Sequence, residues 1–262
     1  MGQNDFILDG IKWSFSSVNA YATCPRMFKL SYIDGIRKSG NGFAEFGTFV
    51  HLILERYYTG KLDFFDLVQF YKAHYAENVK LGFPPNRFVD LAKSYYDGGL
   101  TYFTNFEDPF ESYEKVAAEK KVMIHVGGFP FVGIIDLILR NDQGNYIIVD
   151  HKSHKFASKK EVAEYARQMY LYGECVKELY GEYPVKLIFN AFREQKMYEI
   201  EWNDKGLEEA KDWFVGTIRS IYSDEIFEPK PDAFFCDNIC SVRHVCDRSR
   251  DYMPEPPEVR VR

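Results

Sequence analysis

The most telling residues in this chain are three acids and a lysine. Asp136 lies inside the run Val132-Gly133-Ile134-Ile135-Asp136-Leu137-Ile138-Leu139. A carboxylate in so apolar a strand is costly unless it is paired, hydrogen-bonded or bound to a cation. Asp150 closes the next apolar run, and Lys152 follows two positions on. In an extended chain, positions i and i+2 share a face, so Asp150 and Lys152 present an acid and a base side by side. A hairpin would bring Asp136 alongside Asp150, and Glu119 on the preceding strand could join them. Carboxylate and carbonyl oxygens suit a hard divalent cation such as Mg²⁺ or Mn²⁺. Such an ion can activate water and offset charge on a phosphoryl oxygen. Lys152 would orient that water, or deprotonate it with a pKa lowered by burial near cations. The same residues also fit a plainer reading, in which the acids end strands and the lysine is solvated.

A second group is made of sulfur. Cys236, Cys240 and Cys246 are separated by three and then five residues. Clustered thiols in a reducing compartment point to metal rather than disulfides. Soft thiolates suit zinc or an iron–sulfur cluster, and either Cys24 or His244 could complete four ligands. A group joining Cys24 to the tail would close a very long loop, which restricts the unfolded chain. Cys175 sits in a helical pattern and reads as a small buried hydrophobe.

The elements that would position these residues can be read from periodicity. Ser16 or Ser17 is placed to cap a helix running toward Tyr32, and a second helix spans about 44–58, ending near Gly60. Two further helical patterns fill roughly 62–80 and 86–107, separated by Pro84-Pro85. The pattern then turns to strands at 115–126, 129–140 and 146–150, joined by turns at Gly127-Gly128 and Asn141 to Gly144. A helix at about 158–180, strands near 184–192 and 196–202, and a helix at about 205–222 complete it. Helices, a three-stranded meander, a helix, two strands and a helix predict an α/β fold with a central mixed sheet flanked by helices.

Several motifs, taken in order, resemble one nuclease superfamily. Gly133-x-x-Asp136, Gly144 and Asp150-His151-Lys152-Ser153 resemble the PD-(D/E)xK core. Gln168-Met169-Tyr170-Leu171-Tyr172 is similar to the Gln-x-x-x-Tyr motif of its RecB-type branch, and Gly47-Thr48-Phe49-Val50-His51 to that branch's Gly-x-x-x-His element. The opening Ser17-x-x-x-Tyr21-x-x-Cys24-Pro25-Arg26-x-Phe28 resembles the RecB, AddB and CRISPR-associated exonuclease group. The resemblance implies a restriction-endonuclease-like core with an N-terminal helical lobe and a Cys-rich tail. It implies one nuclease domain over 1–262, with the lobe at 15–110, the core at 111–225 and the cysteine tail at 226–262. Asp136 and Asp150 would bind metal, with His51 as a further ligand or orienter, and Lys152 would assist the attacking water. Glu119 would be a further acid of the site. Gln168 and Tyr172, four apart and so on one helix face, would meet DNA or support Lys152. The resemblance also implies a 4Fe-4S cluster held by Cys24, Cys236, Cys240 and Cys246. The three residues between Cys236 and Cys240 depart from the usual two.

The implied activity is metal-dependent hydrolysis of DNA, by an exonuclease acting on single strands or free ends in recombination, repair, replication or CRISPR adaptation. Two other readings are a non-catalytic DNA-binding or scaffolding module and an RNA-processing nuclease. The chain has no Gly-x-x-x-x-Gly-Lys-Ser/Thr phosphate loop, so unwinding would fall to a helicase or recombination partner. Lys152, His154, Lys155, Lys159 and Lys160 follow the acids directly and could line a phosphate groove, as could Arg26, Lys29, Arg37 and Lys38. Overall charge gives no such hint: 33 Lys and Arg against 39 Asp and Glu leave −6 over 262 residues, which argues against a polybasic binder. At 46% hydrophobic and 27% charged, the composition is that of a folded chain, and the 17% of aromatic residues supply core and candidate stacking surfaces. No run approaches the ~20 apolar residues of a membrane span, and the N-terminus lacks a secretory pattern, so a cytoplasmic protein is expected.

Overall fold

The computed structural model describes residues 4–247, so the expected tail beyond 247 lies outside the described residues. The chain divides into two compact units: Met1–Asn41 with Gly216–Arg262, and Gly42–Val215.

In the first unit, the single helix predicted toward Tyr32 is three pieces. After a short α1 (Asp5–Asp9), α2 spans Phe15–Thr23 and α3 spans Pro25–Phe28, followed by a π-turn at Lys29–Ile33. The cap of α2 is Ser14 rather than Ser16 or Ser17. Its hydroxyl accepts from Ser17 N at 3.1 Å, while Ser17 Oγ accepts from Ser14 N at 2.9 Å, a capping box closed by serine. The break falls at Cys24, which is extended (φ −157°, ψ 109°), because a following proline disfavours helical backbone. Pro25 then opens α3, where its missing N–H costs nothing. Trp13 and Phe28 stack at 5.9 Å, Phe28 meets Phe227 at 6.4 Å, and Tyr21 donates to Asp224 Oδ2 at 2.8 Å.

The second unit begins with the helical lobe: α4 (Gly42–Tyr58), α5 (Leu67–Asn78) and α6 (Leu91–Thr104). In α4, the buried Phe46, Phe49, Val50, Ile53 and Leu54 recur at helical spacing and form one apolar stripe, leaving His51 on its flank. The stripe packs on Leu67 and Tyr71 of α5 and on Tyr102 and Phe103 of α6. The two latter helices start later than the sequence pattern suggests. Asp63 instead caps a 3₁₀ turn at Phe64–Asp66, and Asp90 caps α6 by accepting from Lys93 N at 3.0 Å.

The sheet has five strands in the order β1 (Glu114–Val126), β2 (Phe129–Arg140), β3 (Tyr146–Lys152), β4 (Lys186–Ala191) and β5 (Lys196–Glu201). Strands β1 to β3 form the expected antiparallel meander. Gly127 and Gly128, both at positive φ (56° and 88°), make the first turn, as a tight hairpin requires. Helix α7 (Lys159–Tyr180) then crosses over, so β4 runs parallel to β3, and β5 returns antiparallel. The sheet is therefore mixed and flanked by helices, as the element order predicts. Leu137, Leu139, Ile147, Val149 and Ile188 bury one face around Phe110. The last helix, α8 (Asp204–Ser223), passes from the second unit into the first at Gly216.

Candidate active site

The acids of the meander meet at the end of its ladder. The β2–β3 register ends at Leu137 opposite Val149, so Asp136 and Asp150 are the next residues on neighbouring strands. Asp136 Oδ2 accepts from the backbone N–H of His151 at 2.7 Å. Glu119 faces Asp136 from β1, between the pairs Ala118–Leu137 and Lys120–Ile135. Its backbone is left-handed (φ 47°), an unfavourable conformation for a side chain longer than glycine and one that recurs at functional positions.

From α4, His51 reaches into this corner. Its Nδ1 lies 3.5 Å from Asp136 Oδ2 and 3.7 Å from Glu119 Oε1. Ligand atoms of His51, Glu119 and Asp136 fall within 4.8 Å of one another, so the three could hold a metal ion. The two carboxylates suit a hard divalent cation, whereas an imidazole donor is more usual for softer transition metals. Asp150 is not one of the three. Its carboxylate pairs instead with Lys152 Nζ at 2.7 Å, as the i, i+2 spacing predicts.

Electrostatics follow from this crowding. Burial alone would lower the His51 pKa, but Asp136 foremost, with Glu119 and Asp150, raises it to about 9. Asp136 is also raised, by burial first and by Asp150 second, against the pull of His51, the His151 N–H and Lys152. Lys152 is shifted as well. Burial pushes its pKa down, but the adjacent Asp150 outweighs burial and raises it, so the protein's own charges keep this lysine protonated.

Gln168 and Tyr172 lie together on α7 and reach Lys152 in sequence. Tyr172 accepts from Gln168 Nε2 at 2.9 Å, and Gln168 Oε1 accepts from Lys152 Nζ at 3.3 Å. Gly133 makes this possible: a Cβ there would lie 2.4 Å from the buried Tyr172 ring. The glycine of the Gly-x-x-Asp pattern is thus where α7 lies against the sheet. At the opposite wall, Gly47 lets α4 approach the end of β3, where a Cβ would lie 3.2 Å from Ser153 Oγ. Beside Gly47 and Ser153 is a cavity of about 520 Å³, bordered also by Thr48, His51, Glu119, Lys152 and His154.

One part of the site was not foreseen. His151, between the acid and the lysine, is fully buried, and burial followed by the nearby His51 and Lys152 holds it neutral. Its Nδ1 accepts from Asn190 Nδ2 at 3.1 Å, and the same amide donates to Tyr102 Oη at 3.0 Å. The ring lies parallel to Tyr58 at 6.0 Å. The available signal was two polar residues in apolar strands, His151 in β3 and Asn190 in β4.

The four cysteines are also brought together, within the first unit. Cys24, Cys236, Cys240 and Cys246 border one small cavity with Met27 and Phe235. Backbone N–H groups of Lys230 and Asp232 donate to the sulfurs of Cys24 and Cys236, each at 3.4 Å. Burial, and then the neighbouring thiols, raise the Cys240 pKa. His244, the other candidate fourth ligand, does not border that cavity. Cys175 is buried in α7, its thiol pushed up to about 12 chiefly by burial.

Sheet, helical lobe and acidic corner together define a family. The sequence matches the model of the PD-(D/E)XK nuclease superfamily over residues 12–247, and the chain belongs to that superfamily. Membership implies phosphodiester hydrolysis with a nucleic-acid substrate, and such nucleases usually use divalent metal ions. Among solved structures, the chain is similar to a "Putative exonuclease" from Eubacterium rectale, with TM-score 0.54, 15% identity and coverage of 97% of this chain and 92% of that one. A further structure, SSO0001, aligns with TM-score 0.40 and 16% identity over 88% of this chain and 85% of that one. No curated protein matches the sequence. Among the described residues, no helix is long and apolar enough to cross a membrane.

Proposed function

We propose that this protein is a metal-dependent DNA exonuclease of the RecB type, acting on single strands or free ends in the cytoplasm. The observation that carries the reading is the convergence of His51, Glu119 and Asp136 beside the Asp150–Lys152 pair. In this reading, His51, Glu119 and Asp136 hold Mg²⁺ or Mn²⁺, and Asp150 joins them from beside Lys152. A divalent ion there supplies charge neutralisation at the phosphoryl oxygens and a more acidic water. His51 ligates through Nδ1, because its Nε2 is engaged by the His151 carbonyl at 2.8 Å. Lys152, held protonated by Asp150, donates hydrogen bonds that orient the water or a phosphate oxygen. Gln168 and Tyr172 keep its ammonium in place. Recombination, repair, replication and CRISPR adaptation are the processes that such an enzyme would serve, with unwinding supplied by a partner.

The same reading gives Cys24, Cys236, Cys240 and Cys246 a structural 4Fe-4S cluster. Support comes from their shared cavity and from the backbone N–H groups turned to two of the sulfurs, since such hydrogen bonds tune iron–sulfur centres. Zinc is the alternative occupant.

Incubating the protein with 5′- or 3′-labelled single-stranded DNA and either Mn²⁺ or EDTA tests the activity. Shortening of the strand only with metal supports it. Binding without cleavage favours the non-catalytic module, and cleavage confined to RNA favours the RNA-processing enzyme.

A further inference from the structure

A second concave surface is formed by α7, the end of β5 and the start of α8. Its volume is about 700 Å³, and it is bordered by Lys159, Lys160, Arg167, Tyr170, Asn203 and Lys205. Four cations border it against two acids, Glu164 and Glu209, in a chain whose overall charge is negative. Two of the cations have only long, exposed ion pairs. Lys160 and Glu164 are 3.9 Å apart and Lys205 and Glu209 3.6 Å, with both lysines more than four-fifths exposed. Exposed pairs at such distances contribute little and exchange readily for phosphate.

The floor of this groove is tied together by hydrogen bonds. Asn203 Nδ2 donates to Tyr170 Oη at 2.8 Å, and Asn203 Oδ1 accepts from Gly206 N at 2.8 Å. The first turn of α8 lies so close to Tyr170 that a Cβ on Gly206 would be 2.2 Å from the ring. Arg167 is spread over Trp213 at 5.2 Å, which presents its planar fork in a fixed orientation.

Position ties the groove to the acidic corner. Arg167 and Gln168 are adjacent on α7, with Gln168 turned to Lys152 and Arg167 to the groove. His154 borders the first cavity, and a few residues later Ser158 caps α7 and Lys159 and Lys160 border the second. From Lys159 to Arg167 the helix advances about 12 Å, more than one anion occupies. We infer that this groove binds the phosphodiester backbone of a nucleic-acid strand beyond the scissile bond, so that the strand runs from the acidic corner over the N-terminal end of α7. This deepens the proposed nuclease function and rests on it for the direction of the strand.

The test replaces Lys160, Arg167 and Lys205 together by glutamine. A control of equal charge replaces Lys61, Lys80 and Lys196, which are exposed elsewhere. Affinity for a fluorescein-labelled 24-nucleotide DNA strand is measured by anisotropy in EDTA, and hydrolysis of that strand and of a tetranucleotide with Mn²⁺. The groove variant should bind the 24-mer at least tenfold more weakly than the control. Its salt dependence should fall by about 2 in log–log slope, at roughly 0.7 per cation lost. Its kcat/KM should drop at least tenfold more for the 24-mer than for the tetranucleotide. Equal 24-mer affinity in the two variants, or equal losses on both lengths, would overturn the groove. If the wild-type protein cleaves neither strand yet binds the 24-mer through these three residues, the nuclease reading fails and the groove stands.

Discussion

His51 Nε2 lies 2.8 Å from the carbonyl oxygen of His151. This contact joins the helical lobe to the central strand and fixes which ring nitrogen faces the acids. With Nε2–H donating to a carbonyl, Nδ1 is the atom left facing Asp136 and Glu119.

A cation among these groups must displace protons. His51 titrates at about 9 and Asp136 is raised, so both hold protons to higher pH than in an unfolded chain. Mn²⁺ affinity should therefore climb about tenfold per pH unit below about 9 for the His51 proton, and more steeply below about 7, where Asp136 holds one too. Calorimetry in buffers of different ionisation enthalpy should count at least one released proton.

Stability carries the same sign. A group with a raised folded pKa contributes stability below its unfolded pKa and loses it as pH rises through the folded value. For His51 that window runs from about 6.5 to about 9. In EDTA the melting temperature should fall across this window. With saturating Mn²⁺ the fall should shrink, so the gap between the two melting curves widens with pH. His51→Gln should narrow it, as thermal scans at several pH values would show.

Gly133 is required by contact rather than by backbone conformation. Gly133→Ala should force the Tyr172 ring aside, at a cost of roughly 1–3 kcal/mol in denaturant unfolding. Because Tyr172, Gln168 and Lys152 are linked in series, activity should fall more than stability does. Gln168→Ala should lower kcat without that stability loss.

The cysteines give an optical prediction. Anaerobically purified protein should be brown and absorb in the visible, and Cys24→Ser should lose the colour together with cooperative unfolding of the first unit. Colourless protein with stoichiometric zinc would instead identify the alternative metal.

Much of the site was legible because short-range rules apply to it. The i, i+2 rule placed Lys152 beside Asp150, and the i, i+4 rule paired Gln168 with Tyr172. The hairpin brought Asp136 to the backbone of the Asp150–Lys152 segment, with Glu119 across from it. What periodicity could not show was which carboxylate pairs with which cation. Asp150 faces Lys152, whereas Asp136 faces His51, a contact 85 positions away along the chain and set by packing of the α4 stripe. The break at Cys24 interrupts the apolar pattern of the first helix, and Pro25 is its sequence signal. The link from His151 through Asn190 to Tyr102 depends on the parallel pairing of β3 with β4, which only the folded sheet supplies.

The most direct test of the assignment is a metal-dependent cleavage assay on end-labelled single-stranded DNA, comparing wild type with Asp150→Ala and Lys152→Ala. Wild type should degrade the strand with Mn²⁺ and not with EDTA. Lys152→Ala should lose on the order of 10²-fold or more in rate, the range for removing a preorganised hydrogen-bond donor, and Asp150→Ala, which removes the group holding Lys152, should lose at least as much. Cleavage that survives both substitutions would contradict the assignment.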